Sequence, residues 1–132
     1  MTMHSMYDMP SEEISLRQLS ILRKSERNLA RANALAACEQ EERLRSERTR
    51  VERAIYEEEY EVLALSMDDV EVEQFMSWLP QARRAVSEAR RLEGRARIDM
   101  LYALTALETA SAAVEEADVE RQVTPSRLPQ SV

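Results

Sequence analysis

The fold is decided by residues 72–117, which read VEQFMSWLPQARRAVSEARRLEGRARIDMLYALTALETASAAVEEA. Apolar side chains recur in this stretch at alternating intervals of three and four residues, and only Glu93 interrupts them. The series is Val72, Phe75, Leu79, Ala82, Val86, Ala89, Glu93, Ala96, Met100, Ala103, Leu107, Ala110, Val114 and Ala117. A mean spacing of about 3.5 residues keeps such a row in line only when the helix supercoils around a partner. We therefore predict that this row, called the 72–117 seam, is one half of a coiled coil.

Residues 11–65 are predicted to supply the other half, because no Gly or Pro interrupts them. Ser11 followed by two glutamates is typical of a helix start. The apolar side is predicted to contain Leu16, Leu19, Leu22, Leu29, Ala32, Ala36, Ala37, Leu44, Val51, Ile55, Val62 and Leu65. Four charged residues break this row, namely Glu26, Glu41, Arg48 and Glu58.

The apolar period lapses over residues 66–69, where Ser66, Asp68 and Asp69 are typical of a bend and a helix cap. The second helix should then run from about residue 70 to about residue 120, with Gly94 as a weak point. We predict an all-α fold, a long two-helix antiparallel coiled-coil hairpin over residues 11–120. Residues 1–10 are expected to form a flexible tail and residues 121–132 a disordered one.

An antiparallel pairing around this bend brings opposite charges together. Arginines between residues 83 and 97 should lie opposite glutamates between residues 39 and 52. The residues concerned are Arg83, Arg84, Arg90, Arg91, Arg95 and Arg97 on one side and Glu39, Glu41, Glu42, Glu47 and Glu52 on the other. Each exposed pair contributes only about 0–1 kcal/mol, so these charges favour a register more than they add stability.

Composition argues against several classes of function. The net charge of −7 disfavours nucleic acid as a partner. No apolar run approaches the roughly 18–20 residues needed to cross a bilayer. His4 and Cys38 are the sole histidine and cysteine, and no Glu-x-x-His pair or Gly-rich phosphate loop is present. We therefore expect a cytoplasmic protein that is not an enzyme and has no catalytic residue, metal site or cofactor.

Phe75, Trp78 and Leu79 form an unusual cluster in a chain whose aromatic content is 5%. They stand within about one helical turn, just after the expected bend. One interpretation is a hydrophobic plug that closes the end of the hairpin. The other is a docking surface, since buried aromatic side chains dominate the energetics of many interfaces. The sequence leaves both interpretations open.

Two stretches carry a resemblance to a known family. They are LRQLSILRKSERNLARANA, from Leu16, and EQFMSWLPQARRAV, from Glu73. In its layout over residues 16–117 the chain resembles the central-stalk proteins of type III secretion ATPases, the flagellar FliJ and injectisome YscO/HrpO family. That family has the form of a two-helix antiparallel coiled coil. The resemblance implies a non-enzymatic stalk that binds the export ATPase and the export gate in a virulence-associated protein transport apparatus.

The resemblance also implies partner-binding residues. Leu16, Leu19, Leu22, Arg23 and Lys24 are the candidate ATPase contacts. Phe75, Leu79 and Ala82, with Trp78 beside them, are the candidate export-gate contacts. Val86 stands where the flagellar pattern can have a histidine, so that part of the gate contact departs from the family.

By the same resemblance the protein is expected in the cytoplasm, peripheral to the secretion apparatus at the inner membrane, with secretion chaperones as further partners. A different class of function is a coiled-coil secretion chaperone or adaptor that dimerises through Ile98, Leu101 and Leu104 and holds a client. A regulator that sequesters a helical partner is a third alternative.

Overall fold

The computed structural model describes residues 11–65 and 68–127. A first helix, α1, spans Ser11–Tyr60 and continues into a π-helical turn at Glu61–Leu65. A second helix, α2, spans Asp69–Arg127. The two long helices pack against each other, and no strand occurs among the described residues. The prediction of an all-α helical hairpin is confirmed.

Asp68 starts α2 by capping it. The backbone N–H of Val70 donates to Asp68 Oδ1 at 2.9 Å, and the N–H of Val72 donates to the Asp68 carbonyl at 3.2 Å. These bonds satisfy donors that would otherwise lack a partner at a helix start. Asp69 and Glu71 place negative charge in the first turn, where the helix dipole favours it. Ser66 and Met67, the other residues of the predicted bend, lie outside the described residues.

The end of α2 differs from the prediction. The helix continues through residues 121–127 to Arg127, although two prolines and a lapse in the apolar period suggested a disordered tail from residue 121. Residues 121–123 contain nothing that stops a helix. Pro125 disfavours helical geometry at Thr124, yet the helix continues through both residues. The predicted tails at residues 1–10 and 128–132 lie outside the described residues.

Contacts divide the chain into two compact units. The terminal unit contains the described parts of Met1–Leu35 and Tyr102–Val132, and the central unit contains those of Ala36–Leu101. In the central unit Arg48 pairs with Glu93, while Arg90, earlier on α2, pairs with Glu52, later on α1. The helices of this unit therefore run antiparallel.

The 72–117 seam is confirmed as the packed face of α2, because every one of its positions is buried or half-buried. In the central unit the best-covered members are Phe75, Ala82, Val86, Ala89, Glu93 and Ala96. In the terminal unit they are Val114 and Ala117. Alanine at alternate positions lets the facing backbone approach closely.

The packed face of α1 was predicted less well. Leu22, Leu29, Ala32, Ala36 and Leu65 were placed on it, yet all five are exposed. The other seven predicted positions are buried or half-buried, namely Leu16, Leu19, Ala37, Leu44, Val51, Ile55 and Val62. The packed face also includes Ser20, Arg23, Arg27, Ala30, Ala34, Glu41 and Arg48, which keep the heptad spacing, so counting apolar side chains missed its polar and small positions.

Candidate partner-binding sites

The candidate ATPase contacts all lie on α1 in the terminal unit. Leu16 and Leu19 are half-buried, and Leu22 is exposed on another side of the helix. The guanidinium of Arg23 pairs with Glu26 of the same helix at 3.1 Å. The five side chains therefore do not share one face, and a partner would reach Leu22 from a different side than Leu16 and Leu19.

Lys24 lies beside a polar link between α1 and α2. Its Nζ is 4.0 Å from Asp118 Oδ1, and the buried hydroxyl of Ser20 donates to the same oxygen at 2.9 Å. Asp118 thus connects a hydroxyl and a cation of α1 to α2. Because Lys24 is partly exposed, its charge remains accessible to an acidic partner.

The candidate export-gate contacts lie at the start of α2 in the central unit. Phe75 is 6% exposed and Ala82 is also buried, so both belong to the seam. Trp78 and Leu79 are half-buried. The rings of Phe75 and Trp78 lie 5.9 Å apart with an interplanar angle of 41°. Val86 is buried as well, which leaves Trp78 and Leu79 as the gate candidates that reach the surface.

An open pocket adjoins this aromatic pair. Its volume is about 680 Å³, and its walls combine apolar and acidic side chains. The lining residues are Glu58, Glu61, Val62, Leu65, Glu71, Gln74, Phe75 and Trp78. A lining that combines carboxylates with aromatic rings is suited to a segment that carries a cation beside an apolar side chain, because a tryptophan face also attracts cations.

A group of ion pairs lies in the packed face of the central unit. Glu93 is 4% exposed, and its carboxylate accepts hydrogen bonds from Arg48 of α1 and, at 3.1 Å, from Arg97 of α2. The hydrogen bond from Arg48 holds the pKa of Glu93 below its ordinary value, and the same bond raises the pKa of Arg48. Arg48 also pairs with Glu52 at 3.0 Å.

Two neighbouring pairs extend this group. Arg90 donates to Glu52 across the helices, and this hydrogen bond lowers the pKa of the Glu52 carboxyl. Glu41 is buried on α1, where it pairs with Arg45 at 2.6 Å and approaches Arg97 at 4.0 Å. Both cross-helix contacts match the predicted opposition of arginines and glutamates.

Other arginines and glutamates of the predicted set pair along their own helix instead. Arg91 binds Glu88 and Glu47 binds Arg50, in each case three residues apart. Arg48 and Glu93, which interrupt the apolar rows of α1 and α2, are partners of each other, and the apolar pattern alone did not predict this pair. The sequence contains an indication of this pair. A positive charge at a seam position of one helix and a negative charge at a seam position of the antiparallel helix can neutralise each other.

Histidine and cysteine, which often bind metals, are represented by one residue each. Cys38 is half-buried and forms no disulfide, and His4 lies outside the described residues. Among residues 11–65 and 68–127 there is no group of three or more His, Cys, Asp or Glu arranged to hold a metal ion. Within the same residues, no helix combines the length and apolar character required to span a membrane.

The chain matches no family model, no curated protein and no solved structure.

Proposed function

We propose that the chain is a non-enzymatic coiled-coil stalk of a type III protein secretion apparatus, which binds the export ATPase and the export gate and couples ATP turnover to protein export. The observation that carries this proposal is the pairing of α1 with α2 along an alanine-rich seam, together with an aromatic pair at the start of α2. This is the architecture that the sequence resemblance implies. The proposed location is the cytoplasmic side of the secretion apparatus.

A stalk of this kind would act through its position within the ATPase ring and not through catalytic residues of its own. An asymmetric rod within a ring of identical subunits contacts each subunit differently, and such differential contacts bias which nucleotide site closes. In this proposal the ATPase contacts α1 through Leu16, Leu19, Leu22, Arg23 and Lys24. The ring-facing surface would be cationic, because Lys24 and Arg23 are both partly exposed.

The export gate would engage the other candidate set through Trp78 and Leu79, which are half-buried, since Phe75 and Ala82 are buried. The acidic pocket beside Trp78 favours a gate segment with a cationic side chain next to an apolar one. Replacement of Trp78 by Ala should leave helicity nearly unchanged and weaken gate binding. Loss of the helical fold in Trp78→Ala would instead identify the residue as part of the plug.

The main test is a titration of the cognate secretion ATPase with this protein. Substoichiometric amounts should raise the rate of ATP hydrolysis and favour the hexamer. Reversal of charge in Arg23→Glu/Lys24→Glu should remove most of the activation. The hairpin should stay folded, because the side chains of Arg23 and Lys24 are 37% and 46% exposed and ion pairs this open to solvent contribute little to stability. The matched control is Arg83→Glu/Arg84→Glu, which makes the same charge change at exposed positions of the central unit.

An ATPase rate that stays flat across the titration, with binding confirmed separately, contradicts the stalk mechanism. Equal loss of activation in the test and control variants would mean that overall charge matters and the proposed contact does not. Circular dichroism of both variants excludes unfolding as the cause of any difference.

A second candidate function is a secretion chaperone or adaptor. It is favoured by large apolar side chains that α2 leaves exposed, of which Ile98, Leu101 and Leu104 were expected to bind a partner. Such a protein would bind its client at a fixed ratio and leave ATP turnover unchanged. The same titration therefore distinguishes the two candidates.

A further inference from the structure

The pocket beside the aromatic pair is a groove between the two helices of the central unit. Each helix contributes one face to it, because on both helices the lining residues follow the same helical spacing. They are Glu58, Glu61, Val62 and Leu65 on α1 and Glu71, Gln74, Phe75 and Trp78 on α2. Residues at such intervals share one side of a helix over about two turns. This bend groove therefore has the length and the two walls that a third helix of about two turns would require.

The bend groove has an apolar floor that reaches the surface. Val62 and Phe75 are buried, and Trp78 is half-buried. Leu65 was predicted to pack in the seam, yet it is 65% exposed at this groove. It ends the π-helical turn Glu61–Leu65, a kind of turn that often occurs at functional sites. The hairpin thus leaves apolar surface uncovered between α1 and α2.

The charge around the bend groove has a single sign. Residues 54–82 contain no Lys, Arg or His and eight acidic residues, namely Glu57, Glu58, Glu59, Glu61, Asp68, Asp69, Glu71 and Glu73. The remaining residues hold all 18 cations and 17 of the 25 anions, so the net negative charge of the chain comes from this acidic end. Glu58 and Glu61 take part in none of the ion pairs found among residues 11–65 and 68–127. Their carboxylates therefore have no cation of the chain to neutralise them.

We propose that the bend groove binds a cationic amphipathic helix of a partner protein, which completes a three-helix bundle at the acidic end. The apolar side chains of this helix cover Leu65 and Trp78, as in other complexes in which an amphipathic helix lies in a groove. Its Lys or Arg residues lie against the carboxylates of α1 and α2 and against the tryptophan face. Anionic membranes and nucleic acids are disfavoured, because they carry the same sign of charge as the acidic end.

This inference rests on the proposed function for the role of Trp78 in docking. It adds the α1 half of the site, and it adds the structure and charge of the segment that binds there. The partner is defined by this chemistry alone, so it can be sought without any secretion component.

The test begins with a random-peptide phage library selected against the whole chain. Enriched peptides should carry Lys or Arg beside apolar residues that recur every three or four positions. A labelled synthetic copy should become helical on binding, as measured by NMR. The test variants are Trp78→Ala and Glu58→Gln/Glu61→Gln. The matched control is Glu57→Gln/Glu59→Gln, which removes the same charge from exposed positions of α1 that do not line the bend groove.

Fluorescence anisotropy at physiological ionic strength measures the affinity of the enriched peptide for each variant. Each test variant should weaken binding about tenfold, through loss of an aromatic contact or of charge-assisted hydrogen bonds. The control should weaken it less than about threefold, because charges outside the contact are screened over about 8 Å. Glutamine is a good helix former, so Glu58→Gln/Glu61→Gln still tests the groove if Trp78→Ala loses helicity.

Each other result overturns the proposal. A library that yields no enriched peptide, or peptides without cations, excludes a cationic partner helix. A peptide that binds without becoming helical excludes the third helix. Equal weakening by the test and control pairs would mean diffuse attraction to the acidic end. A dimer of the chain that the peptide dissociates would mean that a second copy occupies the groove. Since only this chain and peptides are present, failure here leaves the ATPase titration unaffected, and a flat titration leaves this test unaffected.

Discussion

Replacement of Arg48 by leucine should lower the free energy of unfolding, because it leaves the Glu93 carboxylate buried in the seam without its main partner. Glu93 is 4% exposed, whereas the side chain of Arg48 is 26% exposed. A buried anion that loses its partner destabilises a protein by about 3–5 kcal/mol. Arg97 remains 3.1 Å from Glu93 but is itself more than half exposed, so it offsets only part of this cost. We expect a loss of about 2 kcal/mol for the stranded Glu93 in Arg48→Leu, or about 8 °C in Tm.

The opposite substitution, Glu93→Leu, should reduce the free energy of unfolding by less than Arg48→Leu does. Glu93→Leu removes the buried anion. The remaining guanidinium of Arg48 is not left unpaired, because it is partly exposed to solvent and still pairs with Glu52. The double variant Arg48→Leu/Glu93→Leu should recover most of what Arg48→Leu loses, because two leucines can pack where the ion pair lay. Urea unfolding followed by circular dichroism gives the three changes, and a double-mutant cycle gives the coupling between the residues.

Equal losses in the two single variants, with a double variant that is their sum, would refute this reasoning. That pattern would mean that Arg48 and Glu93 act independently and that burial of the carboxylate does not determine the cost. A double variant less stable than Arg48→Leu would refute the expectation that leucines can replace the pair.

Three further predictions concern the central unit. The hydrogen bond from Arg48 lowers the folded-state pKa of Glu93, so this stabilisation is present above the ordinary pKa of 4.5 and is lost as pH falls through the lower folded value. Between about pH 5 and about pH 3 the free energy of unfolding should therefore fall more steeply in the parent than in Arg48→Leu. An added Cβ at Gly94 meets no atom within 4 Å, so Gly94→Ala should raise the free energy of unfolding by about 0.5–1 kcal/mol, and a decrease would mean that the helix needs glycine there. Ala89→Leu should cost about 1–3 kcal/mol by overpacking the seam, whereas Ala85→Leu at an exposed site should change stability by less than about 0.5 kcal/mol, both measured by urea unfolding.

The sequence predicts α2 and its packed face well because nearly every seam position is apolar, from Phe75 to Ala117. Hydrophobic periodicity alone then identifies both the helix and the side that is buried. The start of α2 was also predictable, since aspartates after an apolar run are typical of a cap, and Asp68 is that cap.

The packed face of α1 could not be predicted in the same way. Its seam contains Ser20, Glu41 and Arg48, while Leu22 and Leu29 are exposed. A count of apolar residues therefore misses the polar positions of the packed face and assigns to it leucines that lie outside it. The correct side is set by α2, whose Asp118 and Glu93 receive the polar groups of α1. That information is tertiary and is absent from α1 considered alone.

The polar residues of the seam set the register in which α1 packs against α2. An alanine-rich seam with a heptad repeat packs almost equally well after a shift of seven residues, because small side chains discriminate poorly between registers. A shift would separate Ser20 from Asp118 in the terminal unit and Arg48 from Glu93 in the central unit, and it would leave buried polar groups unpaired. We infer that these pairs fix the register within each unit. A shift by seven residues would leave Leu29 on the outer side but would change which residues of α2 lie beside it. The surfaces that the two helices form together therefore depend on the polar residues that interrupt the seam.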